Sequence, residues 1–431
     1  MRVLYICNEY PPAVHGGIGI FVRTLAEQLA VAGHDVAAIG FASHVGECLR
    51  ATENGVRIVR LPWPRSRGAL GLGSFRIDPA ALAARKALSR ETALFAAKFR
   101  PDVVESHDWS GPLWTPPWRP LIVRLHGASS VQAWSRGNKA SRLLRFFERR
   151  NLRMADAIAA PSHFIARTTF GALRLSGTPC RILHHGVDTE RFRPAESRRN
   201  PSEVLFAGTV KKQKGIQELF QAMPRILEGF PQARFTIAGR CPEHPSDPCS
   251  PQALLQGLPP SHPSGTLPGF HTSEMQSTPA EDWARNMADC PQATTVAAAG
   301  NVRFLGHVPQ VDLASLYSRA AVAVFPSHNE AFGLACAEAM ACGAAVVMTA
   351  RGSGPELVEH GKSGLLVEPT DINALAAAVV NLLKSTALRG RLGAAARSRV
   401  LEIFKLRDTA ALNVAFYEQV ASRFRSQLAH A

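Results

Sequence analysis

Residues 320–347 constrain the fold of this chain more than any other stretch. They begin with an apolar run, Val322–Phe325, which has the length of a buried strand and is followed by Pro326. After a short polar loop, an Ala-rich segment from Leu334 to Gly343 has helical composition, and a second apolar run follows it. The pattern predicts a strand–loop–helix–strand unit, which is typical of a parallel α/β sheet.

The loop and the helix start of this unit have the features of a ligand site. Unpaired backbone amides at a helix start attract phosphate oxygens, and Gly333 allows the backbone to approach a ligand closely. A carboxylate would repel phosphate, so Glu330 in the loop and Glu338 in the helix are expected to face uncharged hydroxyls. A nucleotide sugar, with hydroxyls on both sides of a diphosphate, fits this arrangement. The alternative is that both glutamates are ordinary solvated residues.

The two glutamates are eight residues apart, with Phe332-Gly333-Leu334 between them and Glu-Ala-Met-Ala-x-Gly from Glu338 onward. This pattern resembles the donor site of retaining glycosyltransferases of family 4. The resemblance covers nearly the whole chain outside residues 241–300. It implies an α/β fold of two Rossmann-like domains facing a central cleft (GT-B type), with a C-terminal helix that crosses back to the N-terminal domain. It also implies the donor-site residues Glu330, Phe332, Gly333, Leu334 and Glu338.

We expect three parts in the chain: an acceptor-side domain over 1–190, a donor domain over 200–400 and a crossover helix over 401–431. Residues 241–300 contain nine prolines between Pro242 and Pro279, which predicts an irregular insertion. The cysteines and histidines of the insertion, Cys241, His244, Cys249, His262, His271 and Cys290, match no standard zinc spacing. We therefore expect no metal and no cofactor.

A glycine pair, Gly16-Gly17, lies between the first predicted strand (residues 3–7) and a helix. A glycine-rich turn at this position suits phosphate oxygens, and the resemblance places it against the donor diphosphate. The third glycine of the dinucleotide fingerprint is absent after Gly19, which makes a nicotinamide enzyme a weak interpretation. A plain tight turn is the alternative.

Two further predicted strands end in histidines. His107 and Asp108 end one of them and His126 ends the next, and the carboxyl ends of parallel strands line the ligand crevice of an open sheet. His126 matches the family's histidine close to the donor sugar. His107 and Asp108 match a more variable acceptor-side position. Structural roles remain the alternative for the histidines, and His185 is expected to be structural.

The second domain opens with a predicted strand and the lysine-rich turn that contains Lys214. Family members carry an arginine and a lysine here that bind the diphosphate, but Thr209 stands in the arginine position. A threonine cannot replace the bidentate contact of an arginine, so Lys211 or Lys212 is the candidate substitute. The two-cation scheme therefore carries over only at Lys214.

The net charge of +15 favours anionic partners. Residues 135–155 form a predicted basic helix, and its segment 136–153 either rests on an anionic membrane or packs on the domain core with solvated arginines. No apolar run is long enough to span a bilayer, and the N-terminus shows no signal-peptide pattern. The eight cysteines show no disulfide framework, which predicts a cytoplasmic protein. The membrane alternative for 136–153 would place it at the inner face of the membrane, and no nucleic-acid partner is expected.

The implied activity is metal-independent, retaining transfer of a hexose from a UDP- or GDP-sugar to a saccharide or lipid-linked acceptor. The expected setting is cell-surface polysaccharide, lipopolysaccharide or glycolipid synthesis. His126, Glu330 and Lys214 are the predicted catalytic residues, and Lys214 would stabilise charge on the leaving phosphate. The alternatives are a nucleotide-sugar epimerase or phosphorylase of the same fold, and a non-enzymatic basic protein that binds nucleotides or nucleic acid.

Overall fold

The computed structural model describes residues 1–11, 17–42, 45–63, 70–72, 75–77, 79–135, 141–195, 199–242, 244–256 and 297–430. The chain divides into two compact units. Unit 1 comprises Met1–Gly186 together with Leu406–Ala431, and unit 2 comprises Val187–Lys405. The C-terminal residues therefore belong to the same unit as the N-terminal half of the chain.

Unit 1 is built on an eight-stranded sheet with the order β10-β9-β8-β7-β1-β2-β4-β3. Neighbouring strands are parallel except β3, which pairs antiparallel with β4. The strands of unit 1, including a separate β5–β6 ribbon, are β1 (Arg2–Ile6), β2 (Asp35–Ala42), β3 (Leu49–Glu53), β4 (Val56–Pro62), β5 (Leu70–Leu72), β6 (Phe75–Ile77), β7 (Val103–His107), β8 (Leu121–Arg124), β9 (Ala157–Ala160) and β10 (Cys180–Ile182). The strand order reverses between β1 and β7, which is where doubly wound sheets bind ligands.

Unit 2 contains a seven-stranded sheet with the order β13-β14-β12-β11-β15-β16-β17, in which only β13 is antiparallel. Its strands are β11 (Glu203–Ala207), β12 (Arg234–Ala238), β13 (Ala297–Ala299), β14 (Val302–Gly306), β15 (Val322–Phe325), β16 (Ala345–Thr349) and β17 (Leu365–Val367). Here the order reverses between β11 and β15. Both sheets thus have a switch point at the carboxyl ends of two central strands.

Helices connect the strands of each sheet. Those of unit 1 are α1 (Gly17–Val31), α2 (Pro79–Phe99), α3 (Ser129–Ser135), α4 (Arg142–Met154), α5 (His163–Leu173) and the C-terminal α13 (Leu406–Ala429). Those of unit 2 are α6 (Ile216–Gly229), α7 (Pro251–Gln256), α8 (Gln310–Arg319), α9 (Leu334–Ala341), α10 (Gly354–Leu357), α11 (Ile372–Lys384) and α12 (Thr386–Ile403).

The central strands β11, β15 and β16 of unit 2 are buried on both faces. Successive residues of β11 alternate between two hydrophobic clusters: Val204 and Phe206 join one, and Leu205 and Ala207 join the other. This alternation follows from the two-residue period of a strand. It explains why the central strands of the sequence are continuous apolar runs, as parallel sheets covered by helices require.

The predicted fold class, α/β with two Rossmann-like domains, is confirmed. The strand predicted at Val322–Phe325 has those bounds. The C-terminal helix begins at Leu406 rather than near residue 401, because the chain is interrupted after Ile403. There Phe404 is buried and its carbonyl accepts a hydrogen bond from the Val187 amide at 2.7 Å.

The basic segment predicted as one helix over 135–155 contains the end of α3 and the whole of α4, and residues 136–140 lie outside the described residues. Of the predicted insertion, residues 257–296 also lie outside them, and α7 lies in the part that precedes these. Within the described ranges, no helix is both long and apolar enough to cross a bilayer.

Candidate functional site

The switch point of unit 2 brings together two residues that are 116 positions apart. Lys214 ends a single turn of 3₁₀ helix after β11, and Glu330 lies in the loop after β15. The Lys214 Nζ atom is 2.8 Å from the Glu330 Oε2 atom. Because β11 and β15 are neighbours in the sheet, their following loops form one edge that carries a cation and a carboxylate side by side.

Glu330 is held by two serines that the sequence analysis did not identify. The Ser327 hydroxyl donates to Glu330 Oε2 at 3.1 Å, and the Ser353 amide and hydroxyl both donate to the Glu330 carbonyl at 3.1 Å. The Oε1 atom has no hydrogen-bond partner among the residues that the structure describes. The available signals were the position of Ser327 three residues before Glu330 and the Gly-Ser-Gly turn around Ser353.

Two glycines allow the loops of this edge to pack closely. Gly215 has a φ of +73°, and a Cβ there would lie 1.9 Å from the Pro326 carbonyl oxygen. Gly333 has a φ of +95°, and a Cβ there would lie 2.6 Å from the Met348 Cε atom. Any larger residue would strain the backbone and move the loop. The predicted Gly333 thus has a structural reason as well as the proposed contact with a ligand.

Phe332 and Leu334 flank the start of α9. The Phe332 side chain is 3 % exposed and packs edge-on against Phe404, with the ring centroids 5.5 Å apart. Its side chain is therefore part of the hydrophobic core, and a contact with a ligand would have to use its backbone. Leu334 is half-buried and is the first residue of the helix.

Glu338 lies on the buried side of α9 and is 6 % exposed. Burial raises the pKa of this carboxyl to about 8, an effect that the Arg191 guanidinium and the Tyr317 hydroxyl partly offset. At neutral pH the group is therefore mostly protonated and can donate a hydrogen bond as well as accept one. Its predicted contact with uncharged hydroxyls of the donor stays a prediction.

We expect Glu338→Gln to reduce the loss of stability at alkaline pH. The folded-state pKa lies above the value of about 4.3 for an exposed glutamate, so the folded protein keeps a proton that the unfolded chain releases. This contribution is fully present below the unfolded value and is lost as the pH rises through about 8. Thermal melts at pH 5 and pH 9 should show a variant that melts about 5 °C above the native protein at pH 9 only.

The exposed Glu402 provides the control for this measurement. Glu402→Gln removes the same charge without changing a buried group, so its melting temperature should follow that of the native protein at both pH values. Equal shifts for the two variants, or a Glu338→Gln effect that is the same at pH 5 and pH 9, would contradict the assignment.

Thr209 and the neighbouring lysines lie on the same loop as Lys214. Thr209, Lys211 and Lys212 are all exposed and follow β11 directly. Their exposure is compatible with contact to a phosphate, but no geometry selects one lysine as the substitute for the family's arginine. That assignment stays a prediction.

The switch point of unit 1 carries a second polar cluster. His107 and Asp108 end β7, and the Asp108 Oδ1 atom accepts a hydrogen bond from the His126 amide at 2.9 Å. Among the described residues, neither ring nitrogen of His107 has a hydrogen-bond partner. The Asp108 Oδ2 atom has none either. Burial raises the pKa of Asp108 to about 7 and lowers that of His107 to about 4.

The predicted glycine pair is described only in part. Gly17 is the first residue of α1, and Gly16 lies outside the described residues.

His126 belongs to a cluster of rings in unit 1. Its ring centroid is 5.6 Å from that of His185 and 5.5 Å from that of Phe21, and Phe21 stacks on His185 at 4.1 Å. Burial lowers the pKa of both histidines well below the ordinary value, and the nearby Arg124 lowers both further. Both rings are thus neutral at pH 7. His185, which was predicted to be structural, lies beside His126 in this cluster.

Arg124 is a buried charge that connects this cluster to the C-terminal helix. It forms two hydrogen bonds with Glu105, at 2.7 and 3.0 Å, and a third with Asn413 of α13. Tyr417 of α13 donates to the same glutamate at 2.7 Å. Arg124 and Glu105 are 1 % and 3 % exposed. A charged residue within each of two apolar strands was the signal that sequence reasoning missed.

The face of the basic helix α4 that packs on its own unit contains both apolar and polar side chains. Its buried residues are Phe147, Glu148, Asn151 and Leu152. Three of its arginines donate to backbone carbonyls: Arg145 to Ala172, Arg149 to Arg174 at 3.3 Å and Arg150 to Trp114 at 3.1 Å. These contacts favour the alternative in which the helix packs on the domain. Arg145, Arg149 and Arg150 therefore contact the backbone of their own unit in addition to solvent.

In the predicted insertion, His262, His271 and Cys290 lie outside the described residues. Cys241, His244 and Cys249 are described, and they are not part of any group of three or more potential metal ligands in the described part of the chain.

Two doubly wound domains in one chain form the GT-B architecture of the solved structures that this chain resembles. The sucrose-phosphate synthase of Thermosynechococcus elongatus has the same fold, with a TM-score of 0.74, 22% identity and coverage of 98% of this chain and 99% of that one. A protein from Anabaena, crystallised with UDP-glucose, matches with a TM-score of 0.63 and 16% identity over 99% of this chain and 100% of its own.

Sequence comparisons lead to the family. The family model for group 1 glycosyl transferases matches residues 289–399, and the model for the glycosyl transferase 4-like domain matches residues 16–185. A glycogen synthase of Mycobacterium tuberculosis (strain CDC 1551 / Oshkosh) is 27% identical over 97% of this chain and 94% of its own length. The alpha-maltose-1-phosphate synthase of Mycolicibacterium smegmatis is 26% identical over 98% and 100%. The chain belongs to the group 1 glycosyltransferases.

Proposed function

We propose that this glycosyltransferase moves a glucosyl group, with retention of anomeric configuration, from a nucleoside diphosphate glucose to a hydroxyl of a soluble saccharide or sugar phosphate. The observation that carries the proposal is the Lys214–Glu330 pair at the switch point of unit 2. It combines a cation for a diphosphate with a carboxylate oxygen for sugar hydroxyls. Among UDP- and GDP-sugars, UDP-glucose is the first candidate, since it is the compound bound by the Anabaena protein of the same fold.

The names of the relatives support a soluble acceptor. Glycogen synthase, alpha-maltose-1-phosphate synthase and sucrose-phosphate synthase are all named for carbohydrate products without a lipid. We therefore propose such an acceptor in place of the cell-surface or lipid-linked acceptor expected from the sequence. The carbonyl contacts of the α4 arginines give a membrane no part in this proposal.

In the proposed reaction, the bond between the anomeric carbon and the diphosphate oxygen breaks, and the acceptor oxygen forms the new bond to that carbon. The acceptor proton ends on the nucleoside diphosphate or the solvent. Negative charge grows on the leaving phosphate, and the Lys214 ammonium together with the amides at the start of α9 stabilises it. No step in this scheme requires a metal ion. Glu330 Oε1 accepts hydrogen bonds from hydroxyls of the transferred sugar.

The polar cluster of unit 1 is proposed to serve the sugar and the acceptor. A neutral His126 ring can accept a hydrogen bond from a ligand hydroxyl or donate one to it. Asp108 and His107 both have atoms that lack a partner among the described residues.

A transfer assay with purified full-length protein tests the proposal. UDP-, ADP- and GDP-glucose are each offered with glucose 1-phosphate, fructose 6-phosphate and maltodextrin, with and without EDTA. We expect one donor to give a new α-linked product at the same rate in EDTA, with the configuration read by proton NMR. A β-linked product would contradict retention, and a requirement for a divalent cation would contradict metal independence. Epimerised donor without transfer, or sugar 1-phosphate formed from inorganic phosphate, would support the rival activities.

A further inference from the structure

The Glu330 carboxylate uses its two oxygens differently. Oε2 accepts hydrogen bonds from the Lys214 ammonium and the Ser327 hydroxyl. Oε1 has no hydrogen-bond partner in the described part of the chain. The Glu330 side chain is 14 % exposed and that of Lys214 is 32 % exposed. One carboxylate oxygen is thus fixed within the protein, and the other is available to a ligand.

This arrangement responds differently to a donor and to its product. A nucleotide sugar carries hydroxyls beyond its terminal phosphate, and Oε1 can accept hydrogen bonds from them. A free nucleoside diphosphate carries an additional ionised oxygen at that place, which a carboxylate repels and cannot bond. Lys214 by itself would attract both compounds, but its pairing with Glu330 cancels much of its attraction for the extra charge.

We propose that Glu330 makes this site prefer the intact nucleotide sugar over the free nucleoside diphosphate, and so favours release of the product. The inference rests on the proposed donor class. It requires that Ser327 holds the carboxylate and that Ser353 holds the Glu330 backbone, since a mobile side chain could turn away from the terminal phosphate. It also implies an unusual outcome, because removal of a binding residue should strengthen the binding of one ligand.

Glu330→Gln tests the inference, because glutamine keeps the size of the side chain and removes its charge. Calorimetric titration at one pH and ionic strength measures the dissociation constants of UDP and UDP-glucose. We expect the constant for UDP to fall about tenfold in the variant, equivalent to about 1.4 kcal/mol. The constant for UDP-glucose should stay the same or rise. The increase in affinity for UDP in this variant should be smaller in 1 M salt, where charge interactions are screened.

Glu218→Gln is the matched control. The Glu218 side chain is 12 % exposed, and its Oε1 atom is 2.7 Å from the Nε2 atom of His328, which lies in the loop of Glu330. Among the described residues, Glu218 forms no hydrogen bond or ion pair with Lys214. This variant removes one negative charge near the site but leaves the Lys214–Glu330 pair intact. The ratio of the two dissociation constants should stay within about threefold of that of the native protein.

An unchanged or weaker affinity of Glu330→Gln for UDP would overturn the inference, and so would an equal gain in Glu218→Gln. If the native protein transfers glucose but the ratio of the dissociation constants of UDP and UDP-glucose is the same in Glu330→Gln, this inference fails and the proposed function stands. If the native protein binds neither compound, both fail. If Glu330→Gln does not fold, Ser327→Ala replaces it. This variant should bind UDP-glucose about threefold more weakly and UDP with unchanged affinity. Equal losses of affinity for the two compounds would contradict the inference.

Discussion

Lys214→Met should lower kcat/KM for the nucleotide sugar donor by about two to three orders of magnitude, the usual effect of removing a group that stabilises charge in the transition state. Methionine keeps most of the side-chain length but has no charge for the leaving phosphate. The variant also leaves Glu330 with Ser327 as its remaining side-chain partner, so the carboxylate would repel that phosphate. Initial rates at saturating acceptor give kcat and KM separately, and we expect most of the loss in kcat.

The control for this prediction is Lys384→Met. Lys384 is an exposed residue in the last turn of α11 and takes no part in the proposed site. Its replacement makes the same change in net charge, and the rate should remain within about threefold of that of the native protein. Equal losses in the two variants would mean that net charge, rather than the position of Lys214, accounts for the effect. A loss of less than threefold in Lys214→Met would remove Lys214 from the mechanism.

Arg124→Met should destabilise the protein by about 3–5 kcal/mol, since breaking a buried ion pair leaves an uncompensated charge in the core. Glu105 would keep the Tyr417 hydroxyl, but it would lose both hydrogen bonds to the guanidinium. The contact of β8 with Asn413 of α13 would also be lost. For a unit of this size the melting temperature should fall by about 10 °C, measured by circular dichroism.

Two further variants separate the buried charge from the loss of the arginine side chain. The double variant Arg124→Met with Glu105→Leu should recover more than half of the lost stability, because replacing a whole buried pair with apolar residues is often neutral. Arg57→Met breaks a pair with Asp35 whose side chains are 56 % and 38 % exposed, and it should cost at most about 1 kcal/mol. A double variant as unstable as Arg124→Met alone would show that packing, not charge, holds α13 in place.

The sequence by itself predicted those features that depend on neighbours along the chain. The strand at Val322–Phe325 follows from an apolar run that a proline ends, and the start of α9 follows from Gly333 and the Ala-rich segment after it. The family pattern around Glu330 and Glu338 indicated two Rossmann-like domains. These signals are local, since backbone propensity and hydrophobic period act over a few residues.

Only the tertiary structure decided the features that depend on residues far apart in the chain. The distance between Lys214 and Glu330, the hydrogen bonds of Ser353 to the Glu330 carbonyl, and the position of His185 beside His126 all join residues from different elements. The protonation of Glu338 likewise depends on how completely the surrounding elements exclude water. The physical reason is that desolvation and charge pairing are set by the three-dimensional surroundings of a side chain, which a local pattern does not encode.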